Sequence, residues 1–288
     1  MVPVRNGARL LPPLLHALAR QTQPAAEVIV IDDASTDTTA ELAAAAGARV
    51  IAGSGAGPYR SRNTGWRAAT GSVVAFVDVR SRPRPRWLAT TAQLLTDPRM
   101  AMATSATEVI GGDSLVERAS VAQQVFDVTG YVDRAWFLPY FATCNLLVRR
   151  AALVAVGGFA QVRSGGDADL CWRIQLAGLG SIAVAREPLL QWQARSGLRD
   201  ALEQTSRYGR SRVQLTRRFA ADGAPAHSLV PAPRMAAYVG RAAIAMAVRS
   251  ATGRQPEQAA RNLLSLYRGA SWWGSWRETR HPSEEINR

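Results

Sequence analysis

Lysine is absent from this 288-residue chain: all 35 basic residues are arginine, set against 22 acids for a net charge of +13. Exclusive use of arginine is what a GC-rich coding sequence produces, so it carries little functional weight. Cysteine is almost absent as well. Two thiols, Cys144 and Cys171, cannot make a disulfide scaffold and fit a reducing compartment. Apolar runs stop well short of the ~20 residues that span a bilayer, and neither end reads as a signal peptide. Histidine is scarce, with only His16, His227 and His281 in unrelated contexts. What remains is a 47% hydrophobic, 20% charged composition, which excludes disordered, collagen-like and coiled-coil chains. The length suits one large domain or a domain with an appendage.

The positive surplus is unevenly placed. Residues 1–206 hold 21 arginines and 17 acids, a net of +4, whereas 207–288 hold 14 arginines and 5 acids, a net of +9. Such a balance points to an anionic partner: phosphates, nucleic acid or an acidic membrane face.

The first half alternates strands and helices. Residues 27–33 form a short β-branched run ending in two acids, as a buried parallel strand does. Before it, Leu10–Gln21 has leucines at helical spacing with Pro12 and Pro13 in its first turn. After it, Ser35, Thr36 and Asp37 offer side-chain oxygens to cap a helix over residues 39–46. A strand at 49–51, a helix at 60–70 and a strand at 73–78 follow. This βαβαβ rhythm implies an α/β fold, a Rossmann-like, doubly wound and mostly parallel sheet, whose ligands sit at the carboxyl ends of strands. Asp32, Asp33 and Asp78 all lie at such ends. Only Met1–Val4 stands where a strand should precede the first helix; either that strand is short or the true start lies upstream.

Residues 96–160 are less periodic, with a strand expected at 141–148 and a helix at 150–156 that Gly157-Gly158 ends. An amphipathic helix is expected at 167–177. Beyond residue 200 the pattern is helical, at 200–219, 233–250 and 256–268, before a tryptophan-rich tail at 272–276.

Carboxylates at a strand end can accept from a nucleobase N–H or from ribose hydroxyls, and the helix start beside them favours phosphate. Plain capping accounts for Asp37, but not for Asp32 and Asp33 together. The Gly-rich stretch 53–57 runs into Arg60-Ser61-Arg62, a loop able to wrap a nucleotide. Between residues 60 and 86 there are seven arginines and one acid, Asp78. Guanidinium forks pair with phosphate oxygens, so beside a strand-end carboxylate this run reads as a diphosphate cradle.

Taken in order, these pieces resemble family 2 glycosyltransferases: Val2-Pro3-Val4-Arg5-Asn6, Val30 to Asp37, Arg62-Asn63-x-Gly65, Phe76-Val77-Asp78, Gly157-Gly158-Phe159, Gly166 to Arg173, and Gln204-x-x-Arg207-Tyr208-Gly209. The resemblance covers about residues 1–215. It implies a GT-A fold and transfer of a sugar from a nucleotide diphosphate, UDP or a similar carrier, to an acceptor hydroxyl with inversion. It divides the chain into a nucleotide-sugar-binding half (1–95), an acceptor-binding half (96–205) and a basic helical C-terminal extension (206–288). On the donor side it sets Pro3, Val4, Arg5, Asp32, Asp33, Arg62, Asp78 and Arg80, with Asp33 accepting from a uracil-type N–H and Asp78 touching ribose and a metal-bound water. It makes Asp167 the general base, with Asp169 in reserve, and puts Asn145, Gly166, Trp172 and Arg207 on the acceptor side. Capping of a helix start remains the plain alternative for Asp167 and Asp169.

Three departures concern the Mg2+ or Mn2+ that the family pattern implies. Arg80 stands for the second acid of Asp-x-Asp, Gly166 for the glutamate before Asp167, and Gln191-Trp192-Gln193 where a histidine often follows. Hard divalent cations take oxygen ligands, and Asp78 alone is left. Either Arg80 replaces the cation and neutralises the diphosphate directly, or the site is degenerate and the protein is a catalytically silent binding or scaffold module.

In the extension, Arg234, Arg241 and Arg249 share one stripe of an otherwise apolar helix. That stripe suits an anionic membrane carrying a lipid-linked acceptor, as in cell-envelope, exopolysaccharide or secondary-metabolite glycosylation; a lid or a homodimer contact is the alternative. The expected location is cytoplasmic, peripheral on the inner membrane face if the stripe binds lipid. Nucleic acid is not an expected partner, because aromatics and arginines do not interleave as a stacking platform would.

Overall fold

Three short β-branched runs, Val2–Val4 (β1), Ile29–Asp32 (β2) and Arg49–Ala52 (β3), pair in parallel in the order β1-β2-β3. The computed structural model describes residues 1–252 and 256–283, with side chains described at all of these except 246–261. Parallel neighbours need crossovers, and helices supply them. Leu11–Ala19 (α1) turns Leu11, Leu14, Leu15 and Leu18 inward, the leucine stripe of the sequence. Its prolines sit in the first turn, where the N–H groups have no helical acceptor to lose. Thr39–Ala45 (α2) and Pro58–Ala68 (α3) make the next two crossovers.

Val73–Val77 (β4) joins the parallel run through Met1, whose N–H donates to Ala75 O at 2.8 Å and whose carbonyl accepts from Val77 N–H at 3.2 Å. The carboxyl ends of β1, β2 and β4 therefore share one edge. Antiparallel pairing takes over from there. Ser81–Pro83 (β5), Met100–Ile110 (β6), Asn145–Arg149 (β7) and Ser181–Gln193 (β8) complete a sheet of order β4-β7-β6-β8-β5, with β4–β7, β6–β7 and β5–β8 antiparallel. The expected strand at 141–148 starts only at Asn145, because Asn145 N–H turns back to Ala142 O. Trp87–Leu94 (α4), Arg150–Ala155 (α6, after α5 below) and Gly166–Leu176 (α7) cover the sheet. Phe76, Trp87, Phe141, Leu146, Leu147 and Trp172 are fully buried around it. A side chain such as Leu146 contributes roughly 1.5–3 kcal/mol by that burial.

The chain divides into two compact units. The first comprises Met1–Glu108, Phe126–Gln161 and Gly166–Gln193; the second comprises Val109–Val125, Val162–Gly165 and Ala194–Arg288. The second is helical: Leu115–Gln123 (α5), Leu198–Arg218 (α8), Ala232–Thr252 (α9) and Pro256–Arg280 (α10). Ser114 and Glu117 form a capping box at the start of α5. Helices α8 and α10 touch backbone to backbone through two glycines. A Cβ on Gly209 would stand 1.8 Å from Ser271 O, and one on Gly274 1.8 Å from Ser206 O. The tryptophans expected in a tail are instead part of α10, where Trp273 and Trp276 stack at 5.1 Å and Trp272 donates to Val230 O at 2.8 Å. Arg234 and Arg241 are exposed on α9, whereas the side chain of Arg249 lies outside the described residues. Among the described residues no helix is long and apolar enough to cross a membrane.

Candidate active site

Two loops meet at the carboxyl ends of β1 and β2. Asn6, with φ of 50°, accepts from Thr36 N–H at 2.8 Å and donates its own N–H to Ser35 Oγ at 2.8 Å. Asp37, one residue before the N-cap Thr38 of α2, accepts from Thr39 N–H at 3.1 Å and from Ala8 N–H at 3.1 Å. The capping role expected of Ser35, Thr36 and Asp37 is not found as such: the N-cap is Thr38, without a side-chain cap, and Asp37 instead ties the start of α2 to the loop at Ala8. Asp32 is a local turn residue whose Oδ1 accepts from Ser35 N–H at 3.2 Å. Pro3 and Val4 are buried in β1, and Arg5 is exposed just beyond it.

Asp33 has a different task. Nearly buried, its carboxylate accepts from Gly55 N–H at 2.9 Å and from Gly57 N–H at 3.0 Å. It thereby shapes the Gly-rich loop, and the loop fits because Gly53 has no Cβ; one there would stand 2.8 Å from Asp33 Oδ1. Gly55 and Gly57 both adopt positive φ, the left-handed region glycine enters without steric cost.

The chemistry gathers one step away. Arg62, 5% exposed, donates to Asp78 Oδ1 at 2.7 Å, and its guanidinium lies 5.3 Å from the centre of the Tyr59 ring. Its Nε is enclosed without a hydrogen-bond partner. Burial works to lower the pKa of Arg62, but Asp78 and Asp167 together hold it above the ordinary arginine value. Asp167, in the first turn of α7, accepts from Thr143 Oγ1 at 2.9 Å. Burial pushes its carboxyl above the usual carboxylate range; Arg62 and Thr143 oppose the shift and Asp78 adds to it. Arg62, Asp78 and Asp167 therefore interact electrostatically, with Arg62 bonded directly to Asp78.

The neighbouring motif residues hold this cluster in place. Asn63 donates to Phe159 O at 2.7 Å and accepts from Phe159 N–H and Trp66 Nε1–H, clamping the loop at 157–159 onto α3. Gly158 must be glycine there, since a Cβ would stand 2.4 Å from Trp66 Nε1. Phe159 stacks on Tyr59 at 5.6 Å. Gly166 packs against that same Tyr59 ring, where a Cβ would stand 2.8 Å from Cε1. Tyr59, Thr143 and Phe159 were not among the sequence candidates. For Tyr59 and Phe159 the available signal was their adjacency to the Arg62 and Gly157-Gly158 motifs; for Thr143 there was none.

Other sequence candidates are placed elsewhere. Asp169 is buried and paired with Arg173 one turn on, at 2.7 Å, while Arg173 also binds Val156 O and Gly158 O. Residues i and i+2 of a helix face different ways, so Asp167 and Asp169 do not act together. Asn145 does not belong on an acceptor surface: it is fully buried, and its amide holds Trp87 Nε1, Ser105 and Thr107. Trp172 is corrected for the same reason, being fully buried with its N–H on Leu138 O and its ring against Trp136, Phe137 and Tyr140. Arg207 lies on α8, in the helical unit. Arg80 is half-buried in the turn after β4, with its carbonyl accepting from Gln193 N–H at 2.9 Å.

This donor set does not fit a divalent cation. Asp78 already neutralises Arg62, a guanidinium occupies position 80, and no group of three His, Cys, Asp or Glu able to hold a metal occurs among the described residues.

Comparison with known proteins gives a consistent picture. The model described as Glycosyl transferase family 2 matches residues 1–157. The pre-mycofactocin glycosyltransferase of Mycobacterium tuberculosis is 31% identical, over 78% of this chain and 48% of its own length. Glycosyltransferase AglE of Haloferax volcanii is 26% identical, over 75% of this chain and 72% of its own. The chain thus spans about half the length of the first of these relatives. Among solved structures, a mannosyltransferase from Pyrobaculum calidifontis in complex with GDP-Man and Mn2+ superposes with a TM-score of 0.63 at 19% identity, covering 98% of this chain and 86% of that one. Glucosyl-3-phosphoglycerate synthase from Mycobacterium tuberculosis, in complex with Mn2+, UDP and phosphoglyceric acid, gives 0.54 at 20% identity, covering 79% of each chain. At these identities the structural likeness is one of fold.

Proposed function

Because the chain belongs to glycosyl transferase family 2 and has a GT-A fold, we propose that it transfers a sugar from a nucleotide-diphosphate donor to an acceptor hydroxyl with inversion. The single observation that carries this reading is the cluster of Arg62, Asp78 and Asp167 at the shared strand edge. Asp167 takes the acceptor proton, the freed oxygen attacks the anomeric carbon, and the bond to the diphosphate breaks on the opposite face. A carboxylate whose pKa has moved toward neutrality suits that task, since proton transfer is best served by a base poised near the working pH. Arg62 meets the departing charge with its enclosed Nε–H, and Asp78 holds the guanidinium in place. Arg80, at the family's metal-ligand position, adds a second guanidinium to the phosphate oxygens, so the reaction runs without a divalent cation. The acceptor we propose is a lipid-linked hydroxyl at an anionic cytoplasmic membrane face, in keeping with exposed Arg234 and Arg241.

The test is donor hydrolysis and transfer with UDP-glucose and GDP-mannose in excess chelator. Turnover that persists supports both the transferase and the arginine-for-metal assignment. Full loss restored by Mn2+ sinks the second alone. Failure of every nucleotide to bind, with or without Mn2+, sinks both.

A further inference from the structure

The arginine run that begins at residue 60 divides between two faces of α3. Arg62 turns toward Asp78, whereas Arg60, Asn63, Thr64 and Arg67 recur at helical spacing along another face. That second face is one wall of a cavity of about 660 Å³. The end of β3, at residues 52–54, and the loop at 157–161 supply the others, and all of these elements belong to the first compact unit. Neither Arg62 nor Asp78 lines the cavity. Its volume is that of a small-molecule site. Its walls are fixed from behind: Asn63 grips Phe159 through both backbone N–H and carbonyl, and Gly53 leaves no room for a Cβ against Asp33.

The two arginines reach across this cavity to the same loop. Arg60 donates to Gln161 Oε1 at 3.4 Å and Arg67 to Gly157 O at 3.3 Å, both long for hydrogen bonds. The Arg67 guanidinium also lies 4.8 Å from the centre of the Trp66 ring, which orients it. A guanidinium offers several N–H donors, and among the described residues each of these two meets that one neutral oxygen alone. Exposed arginines elsewhere in this unit take a carboxylate: Arg84 takes Glu108, Arg99 takes Asp97, and Arg186 takes Asp133. Here no acid lines the cavity, whose other polar side chains include Ser54, Thr64 and Gln161. Two cations in one acid-free hollow call for an anion with several acceptor oxygens. A phosphate monoester, which carries nearly two negative charges at neutral pH, matches them better than a single carboxylate. The cavity is far larger than a bare phosphate, and its hydroxyls suit a hydroxylated body behind that group.

We propose that this cavity binds a phosphoryl group carried on a small hydroxylated body, with Arg60 and Arg67 as its cationic contacts, at a site distinct from Arg62 and Asp78. The assignment does not depend on the transferase reading.

The experiment is calorimetric titration of the full chain with glycerol 3-phosphate, with and without saturating UDP, in the parent, R60Q, R67Q and R20Q. Arg60 and Arg67 are exposed, and glutamine serves a helix about as well as arginine, so these variants are expected to fold. R60Q and R67Q should each weaken glycerol 3-phosphate binding about tenfold, the loss of a charge-assisted bond. R20Q, which removes an exposed charge at the end of α1, should leave it unchanged. UDP affinity should be the same in all four proteins. No binding by the parent, or equal binding by the parent, R60Q and R67Q, overturns the site. Displacement of glycerol 3-phosphate by UDP, or loss of UDP affinity in R60Q and R67Q, overturns its separateness. Absence of UDP binding in the parent counts against the donor reading alone, and the titration without UDP still decides the site. Co-sedimentation with phosphatidylcholine vesicles, with and without phosphatidic acid, distinguishes two sources of the same group. Binding to phosphatidic acid that R60Q and R67Q lose assigns a lipid headgroup; glycerol 3-phosphate binding without it assigns a free phosphorylated molecule.

Discussion

Asp167→Asn should make this protein more stable and nearly inactive at once. In the folded chain burial raises the carboxyl of Asp167, with Arg62 and Thr143 opposing and Asp78 reinforcing, and the net direction is upward. In the unfolded chain the same group titrates near 4. Between those two values the native state binds more protons than the unfolded one, so stability falls as pH rises through the window. The burial that raises this group makes its ionisation in the folded chain a cost, which asparagine removes without changing shape or losing the acceptor for Thr143 Oγ1. The variant should therefore melt at a higher temperature than the parent at neutral pH, and the advantage should vanish below about pH 4. Catalysis moves the other way. Losing a general base costs about 10²- to 10⁴-fold in turnover, or about 3–5 kcal/mol on the barrier. Donor affinity stays, because Arg62 keeps Asp78 at 2.7 Å. Melting curves across pH, UDP calorimetry and nucleotide release from UDP-glucose or GDP-mannose together check all three. A melting temperature below the parent's at neutral pH refutes the burial cost, and turnover within tenfold of the parent refutes the base.

Gly209→Ala drives a methyl into Ser271 O and should destabilise the helical unit by about 3 kcal/mol, read as a shift in urea midpoint; a change under about 0.5 kcal/mol would show that α8 and α10 do not cross there. Asn145→Ala strands Trp87 Nε1–H and two hydroxyls, so it should cost about 3 kcal/mol in unfolding free energy with acceptor KM unchanged in the folded fraction. A raised acceptor KM with normal stability would restore Asn145 to the acceptor side. Asp33→Asn leaves one of Gly55 and Gly57 without its acceptor and should weaken UDP binding about tenfold by loosening the loop, measured by calorimetry.

Much of this site is legible in the sequence because it stands at positions that short patterns specify. β-branched runs ending in acids mark strand ends, so Asp33 and Asp78 are found from type and place alone. The leucine stripe of α1 and the glycine stop after α6 are equally plain. What stays hidden is long-range. β6 runs Met-Ala-Met-Ala-Thr-Ser-Ala-Thr, with few β-branched aliphatics, and its strand character comes from partners such as Asn145 that hold its buried Ser105 and Thr107. For the same reason a polar residue inside a motif does not declare which way it faces. Asn145, Trp172 and Asp169 each carry a functional residue type and are each consumed by packing, which only the assembled contacts reveal.

Those contacts also give the departures from the family pattern a common cause. Gly166 and Arg80 look like two unrelated losses of metal ligands in the sequence. In three dimensions Gly166 is the floor under Tyr59, and Tyr59 stacks on Phe159 while its face receives the Arg62 guanidinium. A glutamate at 166 would displace the ring that positions Arg62. A buried arginine paired to Asp78 in turn removes that carboxylate's spare charge, which a cation would need. The buried ion pair of Arg62 with Asp78 therefore accounts for a small, specific part of the chain's positive charge.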